Sequence, residues 1–326
     1  MPETMKAVRV HEHGGPEVLR YEEVPAPRAG LGEVLVRVHA ACLNPPDWYV
    51  RSGFPLIPEE LRPKVDLPLI PGSDVSGVVA EVGPAVSGWE VGDEVFGLVR
   101  FPRRGDGGRA YAEYTTAPAY HLARKPRNLS HVEAAGVPMA GLTAHQFLFD
   151  HIRLEEGRTV LVNGAAGGVG HFAVQLAKTR GAHVIAVASG RHEEFLRGLG
   201  ADEFYDYTTT DVTEKVKGVD HLVDSVGGPR GYRFLPVLKP GGTISPVYFG
   251  DYHAEHAAEL GISFRPGQVH SDGRQMGELA ALLGEGALRV GIDSVFPLAE
   301  AAKAHERAER GHIQGKIVLS VVEDRP

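Results

Sequence analysis

The chain has 326 residues, of which 43% are hydrophobic and 23% charged, and its formal net charge is −8 at pH 7. This length exceeds one ordinary hydrophobic core, so we expect two domains. The acidic balance argues against a nucleic-acid-binding surface, and no apolar run reaches the roughly 18 residues that a membrane span requires. The N-terminus lacks the apolar core of a signal peptide, so a cytoplasmic location is the default expectation. Cys42 is the single cysteine, which excludes an intrachain disulfide and every zinc site built from several cysteines.

The first third of the chain, from Met5 to about Arg127, is rich in short strands and turn residues. Residues 34–38 alternate with the period of two that is typical of a half-buried strand, and residues 76–83 and 91–97 predict two further strands. This segment predicts a mainly antiparallel, barrel-like β domain.

The pattern changes near Pro126. Ser130 and Glu133 have the spacing of a capping box, which opens a helix over 131–136, and a second helix is expected over 141–151. Strands and helices then alternate in the manner of a doubly wound parallel sheet, with strands at 159–162, 183–188, 203–205, 221–226 and 243–247 and helices at 171–180, 193–198 and 232–238. The remaining predicted elements are a strand at 262–269, helices at 276–284 and 299–310, and a strand at 317–322.

A glycine-rich turn, Asn163-Gly-Ala-Ala-Gly-Gly-Val-Gly170, lies between strand 159–162 and the following helix. It has the spacing of a dinucleotide-binding turn, with alanine at the first glycine position. The missing Cβ at Gly167 would admit a pyrophosphate, Gly170 would allow close packing of helix and strand, and the helix N-terminus would hold the anion. The predicted cofactor-binding residues of this turn are Ala165, Ala166, Gly167, Gly168, Val169 and Gly170.

The end of the second strand indicates which coenzyme is used. NAD-selective sites place Asp or Glu there to bind the ribose 2′-hydroxyl. Here Ser189 and Arg191 follow strand 183–188, and both can donate hydrogen bonds to a 2′-phosphate, so NADPH is the predicted cofactor. The alternative for Arg191 is a surface ion pair with Glu193 or Glu194.

Six motifs, in order along almost the whole chain, resemble the zeta-crystallin-type quinone oxidoreductases of the medium-chain dehydrogenase/reductase superfamily. They are Asn44-Pro-Pro-Asp-Trp-Tyr-Val-Arg-Ser-Gly53, Pro71-Gly-Ser-Asp-Val-Ser-Gly77, Ala140-Gly-Leu-Thr-Ala144, the turn ending at Gly170, Asp224-Ser-Val-Gly-Gly228 and Gly315-Lys-Ile-Val-Leu319. The resemblance implies a GroES-like, mainly β catalytic domain (1–126 and 271–326) split around a Rossmann domain (127–270). It also implies NADPH, a cleft between the domains and a homodimer.

Two departures from the zinc-dependent branch of that superfamily bear on the chemistry. Alcohol dehydrogenases carry a cysteine where Asn44 stands and a His-Glu pair where Ser73-Asp74 stands. Amide and hydroxyl oxygens hold Zn²⁺ poorly, so we expect no metal site and a zinc-independent reaction.

The resemblance and the strand ends indicate further cofactor-binding residues. Val226 and Gly227 follow the predicted fourth strand at the sheet edge where open α/β sheets bind ligands. Phe249 would form a wall for the nicotinamide, unless it packs in a core. By the family pattern, three more residues join the 2′-phosphate pocket: Lys178, Tyr207 and Lys316. The alternatives are a solvated helix lysine for Lys178 and an ordinary strand-end tyrosine for Tyr207.

The candidate catalytic residues Asn44, Tyr49 and Thr143 match positions that line the active cleft in the resembling family. An Asn amide or Tyr hydroxyl can donate to a carbonyl oxygen on which charge develops, although Asn44 is alternatively an Asn-Pro turn residue. The predicted function is NADPH-dependent, zinc-independent hydride transfer to a quinone or an α,β-unsaturated carbonyl. The alternatives are an enoyl-thioester reductase and an NADPH-binding protein without turnover.

The loops at 59–66 and 101–109 lie where substrate loops are expected. Arg103, Arg104 and Arg109 would either meet an anionic ligand or belong to a solvated loop.

Overall fold

The computed structural model describes residues 2–55, 57–100 and 109–322. Its strands are β1 Thr4–Val10, β2 Leu19–Pro25, β3 Glu33–Cys42, β4 Asp74–Val82, β5 Glu94–Leu98, β6 Tyr114–Pro118, β7 Leu122–Arg124, β8 Thr159–Asn163, β9 His183–Ala188, β10 Glu203–Asp206, β11 Val219–Asp224, β12 Leu238–Pro246, β13 Ser263–Phe264, β14 Ile292–Pro297 and β15 Lys316–Ser320. Its α-helices are α1 Pro45–Ser52, α2 His131–Ala135, α3 Pro138–His145, α4 Gly168–Thr179, α5 Glu193–Gly198, α6 Val212–Lys215, α7 Ala254–Glu259, α8 Gly273–Gly284 and α9 Ala301–Glu309.

The first sheet has seven strands and is mainly antiparallel, as predicted, in the order β14-β15-β3-β4-β5-β7, with β6 also paired to β3. The long strand β3 is its centre, because it pairs with β4, β6 and β15. The pairing of β15 with β3, with Val318 opposite Cys42, brings the C-terminal end of the chain back to the N-terminal sheet. The predicted domain bounds remain predictions.

The second sheet has six parallel strands in the order β10-β9-β8-β11-β12-β13. It is the predicted Rossmann-type, doubly wound sheet. The strand order reverses between β8 and β11, so the loops that follow these two strands leave the sheet edge side by side. The glycine-rich turn follows β8, and residues 225–228 follow β11.

Helix α4 packs its apolar face into the core of this unit. Phe172, Ala173, Leu176 and Ala177 are buried, as their three- and four-residue spacing predicts. Burying Phe172 or Leu176 fully contributes about 1.5–3 kcal/mol each. This packing fixes the N-terminal end of α4 against the sheet edge.

Several predicted elements agree with the structure, including β9, α5 and the capping box at Ser130. The Glu133 amide donates to the Ser130 hydroxyl oxygen at 3.2 Å, and the Ser130 amide donates to the Glu133 carboxylate at 2.9 Å. The second predicted helix begins earlier, at Pro138, because proline fits the first helical turn without needing an N–H donor. It continues as a π-helical turn over Gln146–His151.

Other predicted elements were wrong in extent or type. The predicted strand 262–269 is only Ser263–Phe264, because Pro266 offers no N–H to the ladder. The predicted helix 232–238 is a 3₁₀ helix, Gly231–Val237, with Pro236 inside it. Strand β14, a half-exposed edge strand, was not predicted. Among the described residues, no helix combines the length and apolar character that crossing a membrane requires.

Candidate active site and coenzyme cleft

The glycine-rich turn is held so that the N-terminus of α4 is open. The amides of Gly164 and Ala165 both donate to the Val187 carbonyl, at 3.1 and 3.0 Å. A Cβ at Gly170 would lie 2.2 Å from the Gly164 carbonyl oxygen, so only glycine fits there. No side chain caps α4 at Gly167, which leaves its first-turn N–H groups available to an anion.

His171 fastens this turn to the C-terminal part of the chain. Its Nδ1–H donates to the Gly167 carbonyl at 2.9 Å, and its Nε2 accepts from the Gly291 amide at 3.2 Å. Burial lowers the pKa of His171 to about 4, so the ring is neutral in this tautomer at pH 7. The Gly315 amide adds a hydrogen bond of 2.8 Å to the Ala166 carbonyl. The glycine-rich turn is therefore held by an uncharged imidazole and a backbone amide.

Asp224, at the end of β11, organises the second turn. Its fully buried carboxylate accepts at Oδ1 from Asn163 Nδ2 at 2.8 Å and from the amides of Val226 and Gly227 at 3.0 and 3.1 Å. Its Oδ2 accepts from the Tyr252 hydroxyl at 2.8 Å. Since Asn163 belongs to β8, this one side chain sets the spacing of the turns after β8 and β11.

Three predicted residues meet at this edge. Gly227 has a φ of 64°, and a Cβ there would lie 2.4 Å from the Phe249 carbonyl oxygen. Val226 packs so near the glycine turn that a Cβ at Gly164 would lie 2.8 Å from its Cγ2. The side chains of Val226 and Phe249 are 53% and 79% exposed, so Phe249 does not pack in a core. Their exposure leaves apolar surface for a planar ring.

Lys316 lies beside the same turn. A Cβ at Gly168 would be 3.0 Å from its Cδ and 3.5 Å from its Nζ. The buried ammonium donates to the Leu43 carbonyl at 3.0 Å and to Asn44 Oδ1 at 2.6 Å. Asn44 Nδ2 in turn donates to Asp74 Oδ2 at 2.9 Å. The structure thus places Lys316 against Asn44 and the start of α4.

Asp74 and Asp47 fasten the segments around Asn44. The Met139 amide, at the start of α3, donates to both oxygens of Asp74 at 3.0 and 3.1 Å. Asp47 fastens the start of α1, because it accepts from the amides of Asn44 at 2.9 Å and Gly72 at 3.1 Å. Burial raises the pKa of Asp74 to about 6 and that of Asp47 to about 7.

Tyr49 lies on α1, and its ring stacks on that of Tyr248 with centroids 6.1 Å apart. Tyr248 directly precedes Phe249, so this contact places Tyr49 beside the segment that follows β12. Burial, with the adjacent Tyr248 hydroxyl, raises the pKa of Tyr49. The buried Thr143 hydroxyl donates to the Met139 carbonyl at 2.6 Å, which leaves its oxygen able to accept only. Of the three candidate catalytic residues, Asn44 donates to Asp74 and Thr143 to the Met139 carbonyl, whereas the Tyr49 hydroxyl lies next to that of Tyr248.

The residues predicted at the adenosine end of the coenzyme lie around the end of β9. Ser189 and Arg191 follow this strand, and the Tyr207 amide donates to the Ala188 carbonyl at 3.2 Å. Arg191 pairs with neither Glu193 nor Glu194 in the structure.

The guanidinium of Arg191 instead donates to His192 Nε2 at 3.0 Å and to the His312 carbonyl. It lines a polar cleft of about 250 Å³ with His192, Asp293, Arg307, His312 and Gln314. Lys178 forms an ion pair with Asp202, with Nζ 2.8 Å from the carboxylate. The ammonium of Lys178 is therefore directed to the loop before β10.

Sequence reasoning missed Asp206, whose carboxylate lies beside Gly190. The sequence does place a carboxylate at the end of the third strand of the alternating pattern. Only the strand register, which sets Asp206 opposite Ala188, shows that this carboxylate lies beside the turn after β9.

The arginines of the predicted substrate loop fall partly outside the described residues. Arg103 and Arg104 lie outside the described residues, and Arg109 has a left-handed φ of 62°. Within residues 2–55, 57–100 and 109–322, no group of three or more His, Cys, Asp or Glu side chains is arranged to hold a metal ion.

A mainly antiparallel β lobe joined to a parallel nucleotide-type sheet, with an open glycine turn at the switch point, defines a two-lobed dehydrogenase/reductase architecture. A family model described as "Alcohol dehydrogenase GroES-like domain" matches residues 30–127, and one described as "Zinc-binding dehydrogenase" matches residues 199–319.

The chain is 34% identical over 322 residues to a chloroplastic quinone-oxidoreductase homolog of Spinacia oleracea, covering 94% of this chain and 95% of the relative. It is 33% identical over 359 residues to the mitochondrial NAD(P)H oxidoreductase RTN4IP1 of Mus musculus, covering 98% of this chain and 89% of the relative. The solved structure of the quinone oxidoreductase from Coxiella burnetii is similar with a TM-score of 0.89 and 37% identity, covering 98% of this chain and all of that one. The chain therefore belongs to the quinone oxidoreductase family of the medium-chain dehydrogenase/reductase superfamily.

Proposed function

We propose that the protein is an NADPH-dependent reductase that transfers a hydride to a quinone or an α,β-unsaturated carbonyl compound without zinc. The observation that carries this proposal is the uncapped N-terminus of α4, which opens at the point where the turns after β8 and β11 lie side by side. The relatives named as quinone or NAD(P)H oxidoreductases support the same chemistry.

In this proposal each part of the coenzyme has a candidate partner. The first-turn N–H groups of α4 would bind the pyrophosphate, and the exposed surfaces of Val226 and Phe249 would flank the nicotinamide. Ser189 and Arg191 would meet the 2′-phosphate. NADPH supplies the hydride when bound, and the protein supplies orientation and exclusion of water.

Tyr49 is our candidate donor to the acceptor oxygen. A tyrosine hydroxyl is protonated at neutral pH, and burial raises the pKa of Tyr49 further, so it can donate a hydrogen bond as negative charge develops. We assign Asn44 a positioning role, because its amide already donates to Asp74 and accepts from Lys316.

The reaction we propose needs no zinc, and the contacts of Asn44 support this. The direct hydrogen bond between Asn44 and Asp74 joins two positions where, by the family resemblance, metal ligands would stand. The ammonium of Lys316, 2.6 Å from the Asn44 oxygen, already places a cation there. A second cation would meet electrostatic repulsion at this point.

The test is oxidation of NADPH, followed by absorbance, with a panel of quinones, α,β-unsaturated ketones and enoyl thioesters, alongside elemental analysis for zinc. We expect turnover with quinones or enones by chelator-treated protein. Turnover of enoyl thioesters alone would favour the alternative substrate class. Coenzyme binding without turnover of any acceptor would refute the proposed enzyme.

A paired substitution tests the role of Tyr49. Tyr49→Phe should lower kcat by about 10²-fold, the usual effect of removing a hydrogen-bond donor to a developing oxyanion, with the Kd for NADPH unchanged. Tyr120→Phe is the control, because Tyr120 is an exposed tyrosine on the outer surface. Equal activity of the two variants would remove Tyr49 from the mechanism. The predicted homodimer is tested separately by light scattering of the purified chain.

A further inference from the structure

The adenosine end of the cleft contains a carboxylate that does not come from the strand expected to supply one. Strand β10 pairs in parallel with β9, and the register sets Asp206 opposite Ala188, the last residue of β9. The segment 189–191 that would face the adenosine ribose therefore begins next to Asp206. A Cβ at Gly190 would lie 2.6 Å from Asp206 Oδ2, which shows how closely this oxygen approaches the turn.

The carboxylate of Asp206 is ionised and only partly engaged. Oδ1 accepts from the Thr208 amide at 2.9 Å and from the Thr208 hydroxyl at 2.7 Å. These bonds, with a smaller contribution from the Gly190 amide, hold the pKa of Asp206 below its ordinary value. Its hydrogen-bond partners are Thr208 and the Gly190 amide, and among the described residues no cation forms an ion pair with it.

Arg191 lies on the turn after β9 and does not pair with Asp206, which ends β10. Its guanidinium points toward the C-terminal part of the chain, where it donates to His192 and to the His312 carbonyl. The adjacent ends of β9 and β10 therefore present a cation and an anion that are not bonded to each other. A 2′-phosphate would be attracted by the first and repelled by the second, whereas a 2′-hydroxyl can donate to the second.

We propose that Asp206 is a specificity-determining residue for the adenosine ribose: its Oδ2 atom, which lies beside Gly190, accepts from the ribose hydroxyls of NADH and opposes the 2′-phosphate of NADPH that Arg191 attracts. The inference rests on the proposed function, since it assumes that a pyridine nucleotide occupies the cleft. Its consequence is that the protein binds both coenzymes and prefers NADPH only modestly.

The experiment compares the affinities of 2′,5′-ADP and 5′-AMP, which carry the adenosine end alone, by calorimetry or by displacement of bound NADPH. In Asp206→Asn, which keeps the size of the side chain, the preference for 2′,5′-ADP should rise about tenfold. In Arg191→Ala it should fall by a similar factor. Asp206→Ser serves as a second variant that should shift the preference in the same direction as Asp206→Asn.

Glu194→Gln is the matched control, because it removes one exposed carboxylate from the neighbouring helix α5. Its preference should stay within about twofold of the unmodified protein, as expected for an exposed charge at a distance. An unchanged preference in both Asp206 variants, or an equal change in Glu194→Gln, would overturn the inference while NADPH binding leaves the proposed function intact. If the unmodified protein bound neither NADPH nor the two fragments, the proposed function would be overturned and the inference with it.

Discussion

Replacing Asp224 is the most informative perturbation of the site, because this side chain accepts four hydrogen bonds and joins the turns after β8 and β11. In Asp224→Leu all four donors lose their acceptor. An unsatisfied buried donor costs about 1–3 kcal/mol, so we expect a loss of at least about 4 kcal/mol in the free energy of unfolding. In Asp224→Asn the amide oxygen can still accept three bonds without charge assistance, and the expected loss is about 1–3 kcal/mol. Tyr252→Phe removes a single bond and should cost about 1 kcal/mol.

The assay is equilibrium urea unfolding of the three variants, combined with fluorescence titration of NADPH. Stability should fall in the order Tyr252→Phe, Asp224→Asn, Asp224→Leu. NADPH affinity should fall in Asp224→Asn, because the Val226 and Gly227 amides are then held by a weaker acceptor. Stability and affinity of Asp224→Asn equal to those of the unmodified protein would refute the assignment of Asp224 as the organising residue.

Three other predictions concern single positions. Gly170→Ala places a methyl group 2.2 Å from the Gly164 carbonyl oxygen and should prevent stable folding. Gly167→Ala, whose methyl group would lie 3.4 Å from the same oxygen, should keep the melting temperature and weaken NADPH binding at least about tenfold. Equal melting temperatures of the two variants would contradict this prediction. Burial lowers the pKa of His305 to about 3 from 6.5, so the unfolded chain takes up the proton first and about 2 kcal/mol of stability is lost from pH 7 to pH 5. In urea unfolding across that pH range, the free energy of unfolding should fall less for His305→Gln than for the unmodified protein. Parallel pH dependences of the two proteins would contradict this prediction. Burial raises the pKa of Cys42 to about 12, so the thiol of the native protein should not react with a disulfide reagent at pH 8. After denaturation one thiol per chain should react. Fast reaction of the native protein would show that Cys42 is accessible.

Features that depend on residues close together in the chain were predictable. The capping box at Ser130 spans four residues, and the glycine turn spans eight, so spacing alone revealed both. The long strands and the helix α4 carry a periodicity that the core requires. Short edge elements such as β13 and β14 were missed or misjudged, because a half-exposed strand needs little hydrophobic patterning.

The contacts that define the site depend on residues far apart in the chain. Lys316 meets Asn44 across 272 positions, and His171 meets Gly291 across 120. Neither residue type predicts such a partner, because Lys and His are most often solvated or satisfied locally. Asp206 was overlooked for the same reason, since its neighbour Ala188 is set by strand register.

The sequence by itself determined the fold class, the position of the nucleotide-type turn and the absence of the zinc-ligand residue types at positions 44 and 73, because these follow from local spacing and residue chemistry. Only the tertiary structure decided which polar groups are already committed, among them the two ends of the Asn44 amide and the ammonium of Lys178. A side chain's chemistry is fixed by its type, but its availability depends on the neighbours that folding brings within hydrogen-bond distance.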